Sequence, residues 1–329
     1  MQRYFALILS VILLLCACTP APGSSPSINE TEESTVPQIE IHPDRVKCTV
    51  PTEITEGNYY YKVLGNRELY IEFYPPTKQV YEKAPVLMMI SGGGFVQCSV
   101  HWAIEYFGGH IDQLREAGFA VASVEYRVKD EGVNIMQVYS DIADSMRYLS
   151  YYSEVFGIDP TKFITAGHSA GGTASLAMAY IGNRVFDEDA YWPEADYQVV
   201  GAFSMSGTGN LDKTDFGPYG GYSSTGIQAN TSLYLNEEIR KLASPIYYLE
   251  GSKVPCKLLM GEMDNVVSPI SVEKFKEACD KAGVPCDVVW FKHAGHVYES
   301  MDGGVVMPPI SVQKSKIVEF AKSCVEAQK

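Results

Sequence analysis

A chain of 329 residues in which 46% are hydrophobic and 20% charged can bury a sizeable core, and that length suits one large α/β domain. Forty acidic residues against 26 basic ones give a net charge of −14. That balance disfavours nonspecific attraction to nucleic acid or to anionic headgroups and sets those function classes aside.

At the N-terminus, residues 6–15 form an apolar run behind a single positive charge, Arg3. The run is too short to span a bilayer as a helix and reads as the core of a signal peptide over residues 1–17. It ends Leu15-Cys16-Ala17-Cys18, the aliphatic, small, cysteine pattern of a bacterial lipobox. Cys18 is therefore expected to carry the lipid and become the new N-terminus. The protein is expected to be an exported lipoprotein, held to a bacterial membrane by that anchor and facing the periplasm or the cell exterior. Residues 18–38 are rich in Pro, Ser, Thr and Glu with little to bury, a tether composition, so the folded domain is expected over 39–329.

Residues 59–74 alternate around Gly65-Asn66, a dipeptide suited to a tight turn, and predict an antiparallel hairpin. The pattern then changes to short apolar runs at 86–90, 119–124, 163–166, 199–205, 256–260 and 288–291. Such runs mark strands covered on both faces. Between them, 138–156, 271–282 and 311–325 have helical spacing, and Gly157 closes the first. Alternating β and α elements predict a mostly parallel, doubly wound sheet with helices on both faces. Residues 208–248 break the rhythm with many Gly, Ser, Tyr and Asn, and read as a small lid-like insertion.

Gly167-His168-Ser169-Ala170-Gly171 falls between a strand run and a small-residue helical stretch. A serine on such a strand-to-helix turn is exposed above the sheet, and the helix N-terminus behind it faces a developing oxyanion. Ser169 is the candidate nucleophile. Upstream, Gly92-Gly93-Gly94 follows another strand run, where bare backbone N–H groups can approach a substrate oxygen.

A serine nucleophile needs a base, and in the chain order of serine, acid and histidine that accompanies such a serine turn the base follows the last strand, which leaves His293 and His296. His296 stands further out on the loop and is preferred, with His293 as a rim or structural residue. The orienting acid should follow the preceding strand, where Asp264 is better placed than Glu262 to reach back to the histidine. No metal is expected, since Cys and His show no paired C-x-x-C or H-E-x-x-H spacing. No phosphate-loop or dinucleotide fingerprint appears either, so no cofactor is expected.

Beyond the leader and anchor lie Cys48, Cys98, Cys256, Cys279, Cys286 and Cys324. Val254-Pro255-Cys256 and Val284-Pro285-Cys286 each open a strand run, so their sulfurs could sit side by side on neighbouring parallel strands. A disulfide and two buried free thiols are both compatible with that placement.

From about Lys83 to Val325 the chain resembles the esterase/lipase group related to hormone-sensitive lipase, and within it the bacterial feruloyl and acetyl-xylan esterases. The resemblance rests on Ser91-Gly92-Gly93-Gly94-Phe95, Glu125-Tyr126-Arg127, Phe156-Gly157-Ile158-Asp159-Pro160, Gly167-His168-Ser169-Ala170-Gly171-Gly172, Ala243-Ser244-Pro245-Ile246, Gly261-Glu262-Met263-Asp264 and Gly295-His296. It implies the α/β-hydrolase fold, a triad of Ser169, Asp264 and His296, and oxyanion donors on the backbone of Gly93, Gly94 and Ala170. Two departures stand out: Ser91 where the family usually has histidine, and Val297-Tyr298 where it commonly has glycine then phenylalanine.

The expected activity is that of a serine carboxylesterase on short acyl or aromatic esters, including esters on plant polysaccharides. Tyr219, Tyr222 and Tyr234 in the insertion could stack on sugar or feruloyl rings, or simply pack it. Two other readings compete. A peptidase related to the prolyl oligopeptidases shares the serine turn and triad order, but the chain lacks room for a propeller domain. A hydrolase fold kept as a non-catalytic binding module would have no reason to retain all three triad residues.

Overall fold

The computed structural model describes residues 43–182, 190–211 and 237–328. The leader, Cys18, the tether and Tyr219, Tyr222 and Tyr234 lie outside the described residues. Among the described residues no helix is long and apolar enough to cross a membrane.

Among the described residues eight strands form one sheet: β1 (Gly57–Leu64), β2 (Arg67–Tyr74), β3 (Ala84–Ile90), β4 (Ala120–Val124), β5 (Ile158–His168), β6 (Val199–Met205), β7 (Cys256–Gly261) and β8 (Cys286–Phe291). Their spatial order is β1-β2-β4-β3-β5-β6-β7-β8. β1 pairs antiparallel with β2, and β2 antiparallel with β4; every later pairing is parallel. The hairpin turns on Gly65 at φ 63, a left-handed conformation that glycine adopts without strain. This is the α/β-hydrolase architecture expected from the sequence.

The apolar runs are strands because both sheet faces are covered. From β3, Val86, Met88 and Ile90 point toward α3 (Ile135–Tyr151) and α5 (Ala170–Tyr180). Leu87 and Met89 point the other way, toward α1 (Val100–Phe107), α2 (His110–Glu116) and the last helix, Ile310–Glu326. Period-two alternation with both faces apolar gives the continuous hydrophobic run.

Helix α3 starts at Asn134, whose side chain accepts from the N–H groups of Met136 and Gln137 while the Gln137 side chain returns to the Asn134 N–H. The helical pattern expected over 138–156 is interrupted at Tyr152; a short α4 (Ser153–Phe156) completes it before Gly157 at φ 63. The sequence period continued across a break that only backbone geometry reveals. Among the described residues, α6 (Glu237–Leu242) lies within the insertion, α7 (Pro269–Ala282) follows it, and the last helix is α8.

Of the insertion read at 208–248, residues 212–236 lie outside the described set. Its two ends are tied together: the Leu211 N–H donates to Ser244 Oγ at 3.0 Å and the Ile246 N–H to the Gly209 carbonyl at 2.9 Å.

Candidate active site

Ser169 sits between β5 and α5 with φ 57 and ψ −121, a conformation that is costly for a residue bearing a Cβ. The flanking glycines make the turn possible. A Cβ on Gly171 would lie 2.0 Å from the Ile90 carbonyl oxygen, and one on Gly167 would lie 2.4 Å from the Gly171 backbone. Neither contact is tolerable, so β5, β3 and α5 meet closely only because these positions lack side chains.

On one side of the serine, His296 Nε2 lies 2.9 Å from Ser169 Oγ. On the other side of the imidazole, His296 Nδ1 is 2.8 Å from Asp264 Oδ2. The Asp264 carboxylate is fully buried, and its Oδ1 accepts from the N–H groups of Val266 at 2.8 Å and Val267 at 2.9 Å. Those bonds fix the carboxylate so that its second oxygen faces the ring. The structure thus brings Ser169, His296 and Asp264 into one hydrogen-bonded line.

The alternatives are placed elsewhere. His293 is about half exposed and bonds Asp302 at 2.8 Å, while Glu262 points to solvent.

The glycine turn after β3 adjoins the serine. Gly92 is the glycine in contact with it: a Cβ there would meet the His168 carbonyl at 2.9 Å and the Ser169 Cβ at 3.5 Å. Gly93 has φ 105 and Gly94 φ 62, and Val96 and Gln97 both donate back to the Gly93 carbonyl, curling the loop. Ala170 is the first residue of α5, so its N–H lies at the positive end of that helix.

Ser91, which replaces the family's histidine, is wholly buried, and its Oγ accepts from the Ser99 N–H at 3.1 Å. The Tyr126 hydroxyl donates to the Ser91 carbonyl at 2.7 Å. Next to it, Arg127 clamps Asp141 of α3 through two 2.7 Å bonds, and the buried Lys62 joins the same carboxylate at 2.9 Å. Glu125-Tyr126-Arg127 therefore serves the turn indirectly: the tyrosine holds the backbone and the arginine fixes the loop to α3.

Sequence reasoning missed the supports of the base loop. The His296 carbonyl accepts from Ser206 Oγ at 2.8 Å and from His168 Nε2 at 3.1 Å. Tyr106 stacks on the His168 ring with centroids 4.1 Å apart. Burial, then the neighbouring His296, pushes the His168 pKa down to about 3, so the ring is neutral around pH 7. The Tyr298 hydroxyl donates to the Leu259 carbonyl at 2.9 Å, so this departure from the family pattern anchors the loop to β7. His168 lies inside the serine motif, but nothing in a single sequence pairs it with a backbone carbonyl 128 positions away.

Solved structures of known proteins share the fold. Esterase 2 of Thermogutta terrifontis, phosphonylated by sarin, superposes with a TM-score of 0.67 at 21% identity, covering 84% of this chain and 96% of that one. Its propionate-bound form gives 0.63 at 20% identity, covering 82% and 92%. A probable isoprenylcysteine alpha-carbonyl methylesterase of Arabidopsis thaliana is 27% identical over 245 residues, 70% of this chain. A non-reducing polyketide synthase of Stereocaulon alpinum is 27% identical over 135 residues. The chain spans 53% of the Arabidopsis protein's length and 5% of the synthase's.

The fold and these relationships define an esterase-type α/β-hydrolase. The chain belongs to the BD-FAE family, whose model matches residues 71–279.

Proposed function

We propose that this protein is a serine carboxylesterase acting on short acyl or aromatic esters. The observation that carries the proposal is the line from Ser169 Oγ through His296 to the buried Asp264, built on a strained turn. In the proposed cycle His296 takes the Ser169 proton as Oγ attacks the ester carbonyl carbon. Backbone N–H groups of Gly93, Gly94 and Ala170 receive the oxyanion, supported by the contact of the glycine turn with Ser169. The alcohol leaves with the proton from His296, and water then attacks the acyl-serine with His296 again as base. Asp264 holds the imidazole tautomer and stabilises the imidazolium.

Short acyl groups come first because Thermogutta esterase 2 has been seen with propionate and with butyrate bound, while the Arabidopsis relative, a probable methylesterase, supports ester hydrolysis in general. We extend the proposal to esters carried by plant polysaccharides, on the aromatic content of the insertion (Tyr219, Tyr222 and Tyr234) and the acidic surface charge. We further propose that the enzyme works as an exported lipoprotein anchored through Cys18; the apolar leader and the Leu15-Cys16-Ala17-Cys18 sequence support this.

The test compares leaderless wild type with Ser169→Ala on p-nitrophenyl acetate, butyrate and octanoate, methyl ferulate and acetylated xylan. Cleavage by wild type and a fall of several orders of magnitude in the variant are expected. Equal inactivity of both on every ester would sink the esterase reading and turn attention to peptides.

A further inference from the structure

Far from Ser169, at the opposite ends of the last two strands, three cysteines from separate elements converge. Cys256 opens β7 and Cys286 opens β8, paired directly across the parallel ladder. Cys279 comes from the last turn of α7, the helix that connects those strands. The three Sγ atoms all lie within 4.8 Å of one another, and none is joined in a disulfide. Cys279 is fully buried, Cys256 nearly so, and Cys286 is partly exposed. Around them pack Leu258, Val272, Phe275 and Val284. The Tyr180 hydroxyl donates to the Val254 carbonyl at 3.0 Å, two residues before Cys256.

Convergence of three sulfurs from a helix and two strands is more than apolar packing requires, since valine or alanine would fill the same space. Metal–sulfur bonds of about 2.3 Å place coordinated sulfurs about 4 Å apart. The three sulfurs, all within 4.8 Å of one another, lie close to that spacing. Soft thiolate sets select cations such as Zn2+ or Cu+ over Mg2+ or Ca2+. The partly exposed Cys286 leaves a route for entry.

We propose that Cys256, Cys279 and Cys286 bind one soft cation as three thiolates, forming a structural metal site. Binding releases the thiol protons to solvent and changes no oxidation state. The site ties together, at their far ends, the strands that lead into the Asp264 and His296 loops. Its effect is on the stability of that half of the sheet, and it does not depend on the proposed esterase chemistry.

The test titrates the fully reduced, metal-free protein anaerobically with Cd2+, whose thiolate charge-transfer absorption reports sulfur ligation. One Cd2+ per chain, displacement by Zn2+ and a higher melting temperature are expected. Cys279→Ser should lose the band and the thermal shift while keeping the wild-type circular dichroism. Cys324→Ser, at a buried cysteine outside the cluster, should bind as wild type does. If Cys279→Ser fails to fold, Cys286→Ser at the partly exposed position gives the same readout. Absence of the band in wild type at excess Cd2+, or an undiminished band in both cluster variants, overturns the site. So does isolation of the native protein with two of the three sulfurs joined in a disulfide.

Discussion

His168 Nε2 donates to the His296 carbonyl oxygen at 3.1 Å, so the residue preceding the candidate nucleophile holds the loop that carries the candidate base. Ser206 shares the task, and Tyr106 stacking fixes the His168 ring. His168→Ala should lower kcat by about 10- to 100-fold with little change in KM, because a base displaced by under an ångström is misaligned in the transition state rather than in binding. His168→Gln, which retains an N–H donor, should recover part of the loss. Steady-state kinetics of both variants decide it, and equal rates for Ala and wild type would mean that Ser206 suffices.

The same histidine makes stability depend on pH. Its pKa falls from an ordinary 6.5 to about 3 in the fold, chiefly through burial. Below pH 6.5 the unfolded chain binds a proton that the folded chain refuses until about pH 3. The stability difference is therefore lost as pH falls through this window, by up to about 1.4 kcal/mol per pH unit. Urea unfolding at pH 7, 5 and 4 should show a smaller decline in His168→Gln than in wild type. Parallel declines would assign the acid sensitivity to the carboxylates.

Asp264→Asn preserves the side-chain volume but removes the charge that holds the tautomer of His296. A kcat loss of about 10^4 is expected, by analogy with the serine-protease triad. Glu262→Gln and His293→Ala should remain near wild type, because one is in solvent and the other is bonded to Asp302 at the rim. Ester hydrolysis by the three variants separates these roles; a large loss in His293→Ala would reassign the base.

Gly171→Ala forces a Cβ to within 2.0 Å of the Ile90 carbonyl oxygen, a backbone atom, which no rotamer change relieves. Destabilisation by about 3 kcal/mol or more is expected. Gly65→Ala, in open space at φ 63, should cost only about 1 kcal/mol, from the strained backbone alone. Denaturant midpoints for the two variants, measured side by side, check the difference.

Most of the scaffold was legible in the chain because its signals are local. The apolar runs of β3 to β8, the Gly65-Asn66 turn and the glycines around Ser169 are short patterns whose physical meaning survives without neighbours. The order of serine, acid and histidine along the chain narrowed the choice to Ser169, to Asp264 or Glu262, and to His296 or His293, and position along each loop favoured Asp264 and His296. Helices α1 and α2 were not recognised, nor was the interruption at Tyr152, since spacing alone does not show where a backbone turns away.

What the tertiary structure alone decided is the set of contacts made across long stretches of sequence. His168 meets the His296 backbone, Tyr126 steadies the carbonyl of Ser91, and Lys62 and Arg127 converge on Asp141. Likewise, two Val-Pro-Cys openings suggested one sulfur pair, whereas the fold adds Cys279 from the connecting helix and makes three. Such groups have no sequence period: hydrogen bonds and sulfur clusters depend on distances of a few ångströms, set by how the helices pack on the sheet.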